Sequence, residues 1–422
     1  MEIKAPEAAL TESEIEALIH EGWQAVAPAL EKIREVERRT QQRVLEAFHR
    51  TRVGSHHLQA STGYGYDDAS REAVEQVFAY ALQGEAALVR PQLASGTHAL
   101  WVCLDALLSR GDELVSVAGA PYDTLRQAIS GRSRQSLVAR GVSYREVPLR
   151  GGRIDFDALS EAVGPKTRLL FLQRSRGYAW RPALGVGDVE ELAAWRDRRA
   201  PHALIMVDNC YGEFVEDDEP TARGADVMAG SLIKNPGGTL APGGGYVVGA
   251  RELVEEIADR VTAPGLGRRV GPTYGTARQV LQGLFLAPHF VAEALSGLAL
   301  FAYAFERLGY PVNPSWHEPR RDAVLAVACG DPDRLLAFCR AVQAASPVDS
   351  DAWLEAGELP GYDDPVVMAA GAFVQGSSSE LSADGPLRPP YAAFVQGGTS
   401  RIHLEIALQR VLQALHGRRA FS

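Results

Sequence analysis

The sequence predicts an α/β protein: a large domain whose mostly parallel sheet is sandwiched by helices, followed by a smaller α+β domain at the C-terminus. Three observations carry this. The chain has 422 residues, 46% of them hydrophobic, and single cores stop growing near ~250–300 residues. From about residue 72, short apolar runs alternate with helical stretches, the pattern of buried strands covered on both faces. Beyond about residue 292 the alternation gives way to a long helical stretch and mixed segments.

Taken in order, residues 12–50 place Ile15, Leu18, Ile19, Trp23, Val26, Leu30 and Ile33 at helical spacing, with Thr11 and Glu14 as a capping box. One or two helices follow from this, as an N-terminal arm over 1–71. "VGSHHLQASTGYGYDD" breaks the pattern as a loop does. The large domain spans 72–291, where "SREAVEQVFAYALQ" is helical. "AALVR", "DELVSV", "TRLLFLQ", "ALIMVDN", "ADVMAGSLI" and "GYVVG" are its strands. The small domain, 292–422, opens with the helical "VAEALSGLALFAYAFERLG", and "GSSSELSADGPLRPPY" within it is loop-like.

A net charge of -10 spread along the chain excludes a nucleic-acid footprint, which needs concentrated basic surface. Cys103, Cys210, Cys329 and Cys339 show neither zinc-ligand spacing nor a disulfide framework. With an acidic, amphipathic N-terminus and no stretch approaching membrane-spanning length, the expectation is a cytoplasmic protein with reduced thiols, no metal and no membrane partner. GxSxG, HExxH and GxxxxGK[ST] are absent, and "GVGDVE" lacks the third glycine of a dinucleotide fingerprint.

Ligands of such sheets bind beyond the carboxyl ends of the strands, so the strand ends carry the candidates. In "VRPQLASGTHALW" a strand turns into a helix at Gly96 and Thr97. That is either a phosphate-binding helix N-terminus or an ordinary turn. "ALIMVDN" ends in Asp208, a carboxylate seeking a cation or protonated nitrogen, or else a turn or capping aspartate. After "ADVMAGSLI" comes Lys234, a nucleophile of lowered pKa if poorly solvated, or a surface lysine. Together, helix N-terminus, carboxylate and amine are the three handles of pyridoxal 5'-phosphate, in chain order. The glycines after Lys234 keep backbone close to cofactor and partner subunit.

The stretches "TGYGYDD", "ASGTHAL", "PYDTL", "QRSRGYAWRP", "VDNCYGEF", "SLIKNPGG", "GGGYVVG" and "FVQGSSSELSADGPLRPPY" resemble fold-type I pyridoxal-phosphate enzymes of the cysteine and methionine metabolism group. More closely, they resemble the methionine gamma-lyase-like, cystathionine beta-lyase-like family often labelled aluminium resistance. The resemblance implies that Lys234 condenses with the cofactor's aldehyde and Asp208 holds the pyridine nitrogen protonated. By the same resemblance, Gly96, Thr97 and Ser231 bind the phosphate, Tyr122 stacks on the ring and serves as an acid, and Gln173 lies near the phenolic oxygen. Tyr64 would reach the cofactor from the neighbouring subunit of a homodimer or homotetramer. Arg401, in "GGTSRIHLEIAL", would fork onto the substrate carboxylate, unless "SRIHLEI" is a strand with an exposed arginine; Arg174 and Arg176 are the competing cations.

The chain departs from the better-known lyases at two places. Ile233 stands where they carry a phosphate-binding hydroxyl, and no arginine follows Tyr64 at their spacing, leaving Arg71 as a substitute or as a helix-surface residue. Three classes of function stay open. The first is a carbon–sulfur lyase acting by beta- or gamma-elimination on cystathionine, cysteine-like or methionine-like substrates. The others are a gamma-replacement synthase or aminotransferase, and a non-catalytic cofactor-binding protein.

Overall fold

The computed structural model describes residues 9–417; residues 1–8 of the expected arm and 418–422 of the expected small domain lie outside the described residues. The chain forms two compact units. One comprises Arg39–Gly177 and Ala183–Ala287; the other comprises the described residues up to Arg38, Tyr178–Pro182 and those from Pro288 onward. The division falls inside the first helix and at Pro288.

The N-terminal pattern forms a single helix, α1 (Glu12–Thr51). Its capping box is in place: the Thr11 N–H donates to Glu14 Oε2 at 2.7 Å and the Glu14 N–H to Thr11 Oγ1 at 3.3 Å.

In the larger unit, Asp68 caps α2 (Ala69–Ala81) by accepting the Arg71 N–H. There follow β1 (Ala86–Arg90), α3 (Gly96–Leu107), β2 (Glu113–Ser116), α4 (Asp123–Ser130), β3 (Ser143–Glu146), α5 (Phe156–Ala162), β4 (Thr167–Gln173), α6 (Val186–Arg199), β5 (Leu204–Asp208), β6 (Val227–Ser231), β7 (Gly245–Gly249) and α7 (Arg251–Val261). The seven strands lie in the order β1-β7-β6-β5-β4-β2-β3. Every neighbouring pair is parallel except the two that β7 makes, with β1 and β6. β1, β5, β6 and β7 read as near-continuous apolar runs because helices cover both faces. On one face, Leu100 and Cys103 of α3 and Val254 and Ile257 of α7 pack on Leu114, Phe171, Met206, Val227 and Val247. β3 has no apolar run to announce it; "SYRE" is mostly exposed and pairs only with β2.

The next helix, α8 (Ala277–Arg307), corrects the sequence expectation about membrane-spanning stretches. It is long and apolar enough to cross a membrane, yet 72% of its most apolar window is buried inside the protein, as in a core helix.

The smaller unit contains β8 (Val312–Asn313), β9 (Val324–Ala328), α9 (Pro332–Ala345), β10 (Val366–Ala369), β11 (Ser382–Pro386), β12 (Ala392–Gln396) and α10 (Arg401–His416). Its sheet is antiparallel, β10-β11-β12-β9-β8. Ile15 and Ile19 of α1 join Phe301 and Phe305 of α8, Phe338 of α9 and Leu408 of α10 over Val327 and Val395.

Two expectations are overturned here. The segment read as a loop contains β11, "SADGP", buried at every position. It lacks a strand's usual composition where packing is closest: a Cβ on Gly385 would strike the Ala392 carbonyl oxygen and stand 3.0 Å from Leu335, and Asp384 Oδ2 accepts Gln396 Nε2 at 2.9 Å. The alternative of a strand at "SRIHLEI" also fails, since Arg401 opens α10.

Candidate active site

Parallel pairing brings the carboxyl ends of β4, β5 and β6 to one edge. Gln173 lies opposite Asp208, and Asp208 opposite Ala229, two residues before Ser231. β1 runs in the same sense and delivers α3 to that edge. Ser95 caps α3 by accepting the His98 N–H at 3.0 Å. Gly96 comes so close to the end of β6 that a Cβ there would stand 3.0 Å from that of Ser231. Only glycine lets the N-terminus of α3 close on this strand end.

Asp208 is buried, and its Oδ1 accepts the Cys210 N–H at 3.0 Å. Lys234 follows β6 and is half-buried, its Nζ 3.9 Å from the centroid of the Tyr211 ring. Burial pulls this amine down, but its surroundings hold it well above the ordinary lysine value, with Cys210, Tyr211, Asp208 and Tyr122 contributing. Burial also keeps the Cys210 thiol and the Tyr122 phenol well above their own usual ranges. The sequence expectation of a lowered amine is thus corrected: desolvation is present, and the groups gathered around the amine outweigh it.

Tyr122 precedes α4. Its hydroxyl donates to Thr97 Oγ1 at 2.9 Å, and its N–H donates to Gln173 Oε1 at 2.8 Å. Gln173 also donates to the Ser175 carbonyl. Ser231 Oγ accepts the Ile233 N–H at 3.3 Å, so the residue lacking a hydroxyl still faces the serine through its backbone.

The other candidates fall elsewhere. Arg174 is buried, with its guanidinium bonded to Asn209 Oδ1 at 2.6 Å, to the carbonyls of Leu184 and Gly212, and to Glu216. These bonds fasten the loop after Asp208, which makes Arg174 part of the scaffold. Arg176 is buried as well. Arg401, in the smaller unit, gives its N–H to Glu293 Oε2 at 2.8 Å and sets its Nε 3.5 Å from Oε1. Tyr64 is 71% exposed. Arg71 is not a helix-surface residue: buried at the base of the Tyr64 loop, it donates to the carbonyls of Gly63, Gly65 and Arg269.

Several residues here went unread in the sequence. Tyr211 holds a left-handed backbone, φ +70°, costly for an aromatic residue. Glu213 is buried, accepts the Tyr246 hydroxyl at 2.6 Å on Oε1, and through its carbonyl accepts Asn235 Nδ2 at 2.9 Å, next to Lys234. The available signal was the polar density of "DNCYGE" directly after an apolar strand. Several glycines after Lys234 pack closely within the chain: a Cβ on Gly237 would strike the Leu232 carbonyl, one on Gly238 the Gly283 carbonyl of α8, and one on Gly283 the Gly237 carbonyl. These glycines serve close packing within the chain itself.

The methionine gamma-lyase family profile matches residues 15–416. The chain belongs to the methionine gamma-lyase family. The uncharacterized protein YnbB of Bacillus subtilis is 43% identical over 394 residues, covering 92% of this chain and 94% of that protein. A Listeria monocytogenes structure, described as a candidate cystathionine beta-lyase involved in aluminum resistance, superposes with a TM-score of 0.92 at 41% identity, covering 95% of this chain and all of that one. A Clostridium novyi structure, described as a carbon-sulfur lyase involved in aluminum resistance, gives 0.90 at 38%, covering 95% of each. The fold is that of fold-type I pyridoxal-phosphate enzymes, and the family depends on that cofactor in general. The donor set in this chain fits it: an amine for the aldehyde, a buried carboxylate for the ring nitrogen, a flanking aromatic, and a capped helix N-terminus beside a serine for the phosphate.

Proposed function

We propose that the protein is a pyridoxal-phosphate-dependent carbon–sulfur lyase, acting on a sulfur amino acid by beta- or gamma-elimination to release a thiol, ammonia and a 2-oxo acid. The observation that carries this reading is the convergence of Lys234, Asp208, Tyr122 and the start of α3 at one sheet edge. Bound there, the cofactor supplies an electron sink for the carbanion at the substrate's alpha carbon.

The chain's own residues do the rest. With Asp208 engaged by a ring nitrogen, the Lys234 amine loses the charge that keeps it protonated; desolvation then favours the neutral amine, the form that accepts an alpha proton. Tyr122, whose phenol burial keeps protonated, is the proposed proton donor to the departing sulfur. Gly96, Thr97 and Ser231 are the proposed phosphate ligands. Arg401 is the proposed carboxylate ligand: its Glu293 pairing is long and its side chain is 41% exposed, so exchanging one carboxylate for another costs little.

The test is to incubate the cofactor-loaded protein with cystathionine, cysteine and methionine while following thiol, ammonia and 2-oxo acid. Release of all three without a second substrate is the expected result. Oxo acid without ammonia identifies an aminotransferase instead, and a need for a second substrate a replacement enzyme. Lys234→Ala is expected to lower turnover by at least about 10³-fold and to remove the yellow lysine-bound form from the spectrum.

A further inference from the structure

Behind the Tyr64 loop, where β1 ends at Arg90 and β6 gives way to Leu232, lies a cavity of about 20 Å³ lined by Arg71, Arg90, Thr273, Leu232 and Val280 among others. That is room for one particle of about the size of a water molecule. Three of its polar residues are nearly inaccessible, Arg71 and Arg90 at 1% and Thr273 at 5%. Each has an atom without a hydrogen-bond partner: Arg71 Nε, Arg90 Nε and Thr273 Oγ1.

The guanidiniums around this cavity are unequally paired. Arg90 pairs with Glu75 at 2.8 Å, and Glu75 is itself buried. Arg268 stands 3.8 Å from Glu75 and has its own carboxylate in Glu255 at 2.7 Å. Arg71 donates only to carbonyls and, among the described residues, pairs with no carboxylate. Asp68, the carboxylate nearest Arg71 along its helix, is engaged by the Arg71 N–H and the Ser61 hydroxyl, so the buried Arg71 guanidinium has no carboxylate in direct contact, an arrangement that is costly without a counter-charge. A water molecule satisfies the free N–H groups without supplying charge; an anion does both. Sulfate, phosphate and carboxylate-bearing metabolites are too large for the space.

We propose that this cavity binds one monatomic anion of chloride size, held by Arg71 Nε, Arg90 Nε and the Thr273 hydroxyl. The site joins two loops that already pair through their backbones. Gly271 N–H donates to the Tyr64 carbonyl, Thr273 N–H to Thr62 and Gly275 N–H to Ser61. Occupancy therefore braces the loop that carries Tyr64. The inference does not depend on the proposed reaction, and its test uses no turnover.

Bromide is the probe. In crystals of the full chain grown with sodium bromide, an anomalous peak is expected within contact distance of Arg71 Nε, Arg90 Nε and Thr273 Oγ1. In solution, the melting temperature should rise saturably with chloride or bromide over gluconate at equal ionic strength. In Thr273→Val, which keeps the side-chain shape and the backbone bonds, that rise should be largely lost. The proposal is overturned by a cavity holding only water, by a side chain of a second copy filling it, or by a melting response equal in the variant and the wild type. A bromide peak without any halide effect on melting marks an adventitious ion and overturns it too.

Discussion

Tyr211 holds a backbone conformation that aromatic residues avoid, and its ring faces the amine of Lys234. Such strain costs about 1–3 kcal/mol, and a cation over an aromatic face recovers about 0.5–2 kcal/mol of it. In the cofactor-free protein, Tyr211→Leu should lower the titration point of Lys234, read from the pH dependence of amine labelling. Tyr211→Phe keeps the ring and should leave it unchanged; a shift as large as that of the leucine variant would mean that the hydroxyl, not the ring, holds the amine. Glu213 makes a second prediction. Burial pushes its carboxyl up from 4.5 to about 8, despite the Tyr246 hydroxyl and the Lys234 charge and with Glu219 adding to the rise. The folded protein therefore binds this proton more tightly than the unfolded chain. The contribution is fully present below about 4.5 and is lost as pH rises through about 8, at about 1.4 kcal/mol per unit. Glu213→Gln, which can still accept the Tyr246 bond, should show a flatter fall of melting temperature across this window than the wild type. An equal slope would place the titration elsewhere.

At the scale of elements, the contact between α8 and the loop after Lys234 reverses a familiar sign. Glycine to alanine inside a helix ordinarily stabilises by about 0.5–1 kcal/mol. Gly283, however, faces the Gly237 carbonyl with no space for a Cβ, so Gly283→Ala should destabilise by about 1–3 kcal/mol as the backbone shifts, measured by denaturant unfolding of the larger unit. A stabilised variant would show that this approach is not tight. The strands of the larger sheet were legible because both faces are buried, which makes each an uninterrupted apolar run. β3 and β11 were not. β3 is an exposed edge, and β11 is buried through small and polar residues whose partners, Gln396 and Leu335, are remote in sequence.

For the whole molecule, Tyr64 at 71% exposure and Tyr274, also at 71%, stand on loops that the backbone ties together. We propose that this face meets a second copy of the chain and that Tyr64 acts in the partner's site. The expected mass in solution is then at least twice the 45.5 kDa of one chain. Mixing inactive Lys234→Ala subunits with Tyr64→Ala subunits should restore activity, because hybrids contain one site with both residues intact. No recovery from demonstrably mixed dimers would place Tyr64 in its own subunit's site.

The sequence by itself determined the apolar strands of the larger sheet and which residue types stand at their ends, because each is written locally, as a periodicity or as a residue type at a strand's last position. What only the tertiary structure decided are the properties set by neighbours distant along the chain. The raised titration of Lys234 follows from Cys210, Tyr211, Asp208 and Tyr122, which folding gathers around it. Arg174 became scaffold because Asn209 and Glu216 surround it, and Arg71 turned inward because its hydrogen bonds go to Gly63 and Arg269. A guanidinium or an amine reads the same in any sequence; its pKa and its partners come from the atoms that folding packs around it.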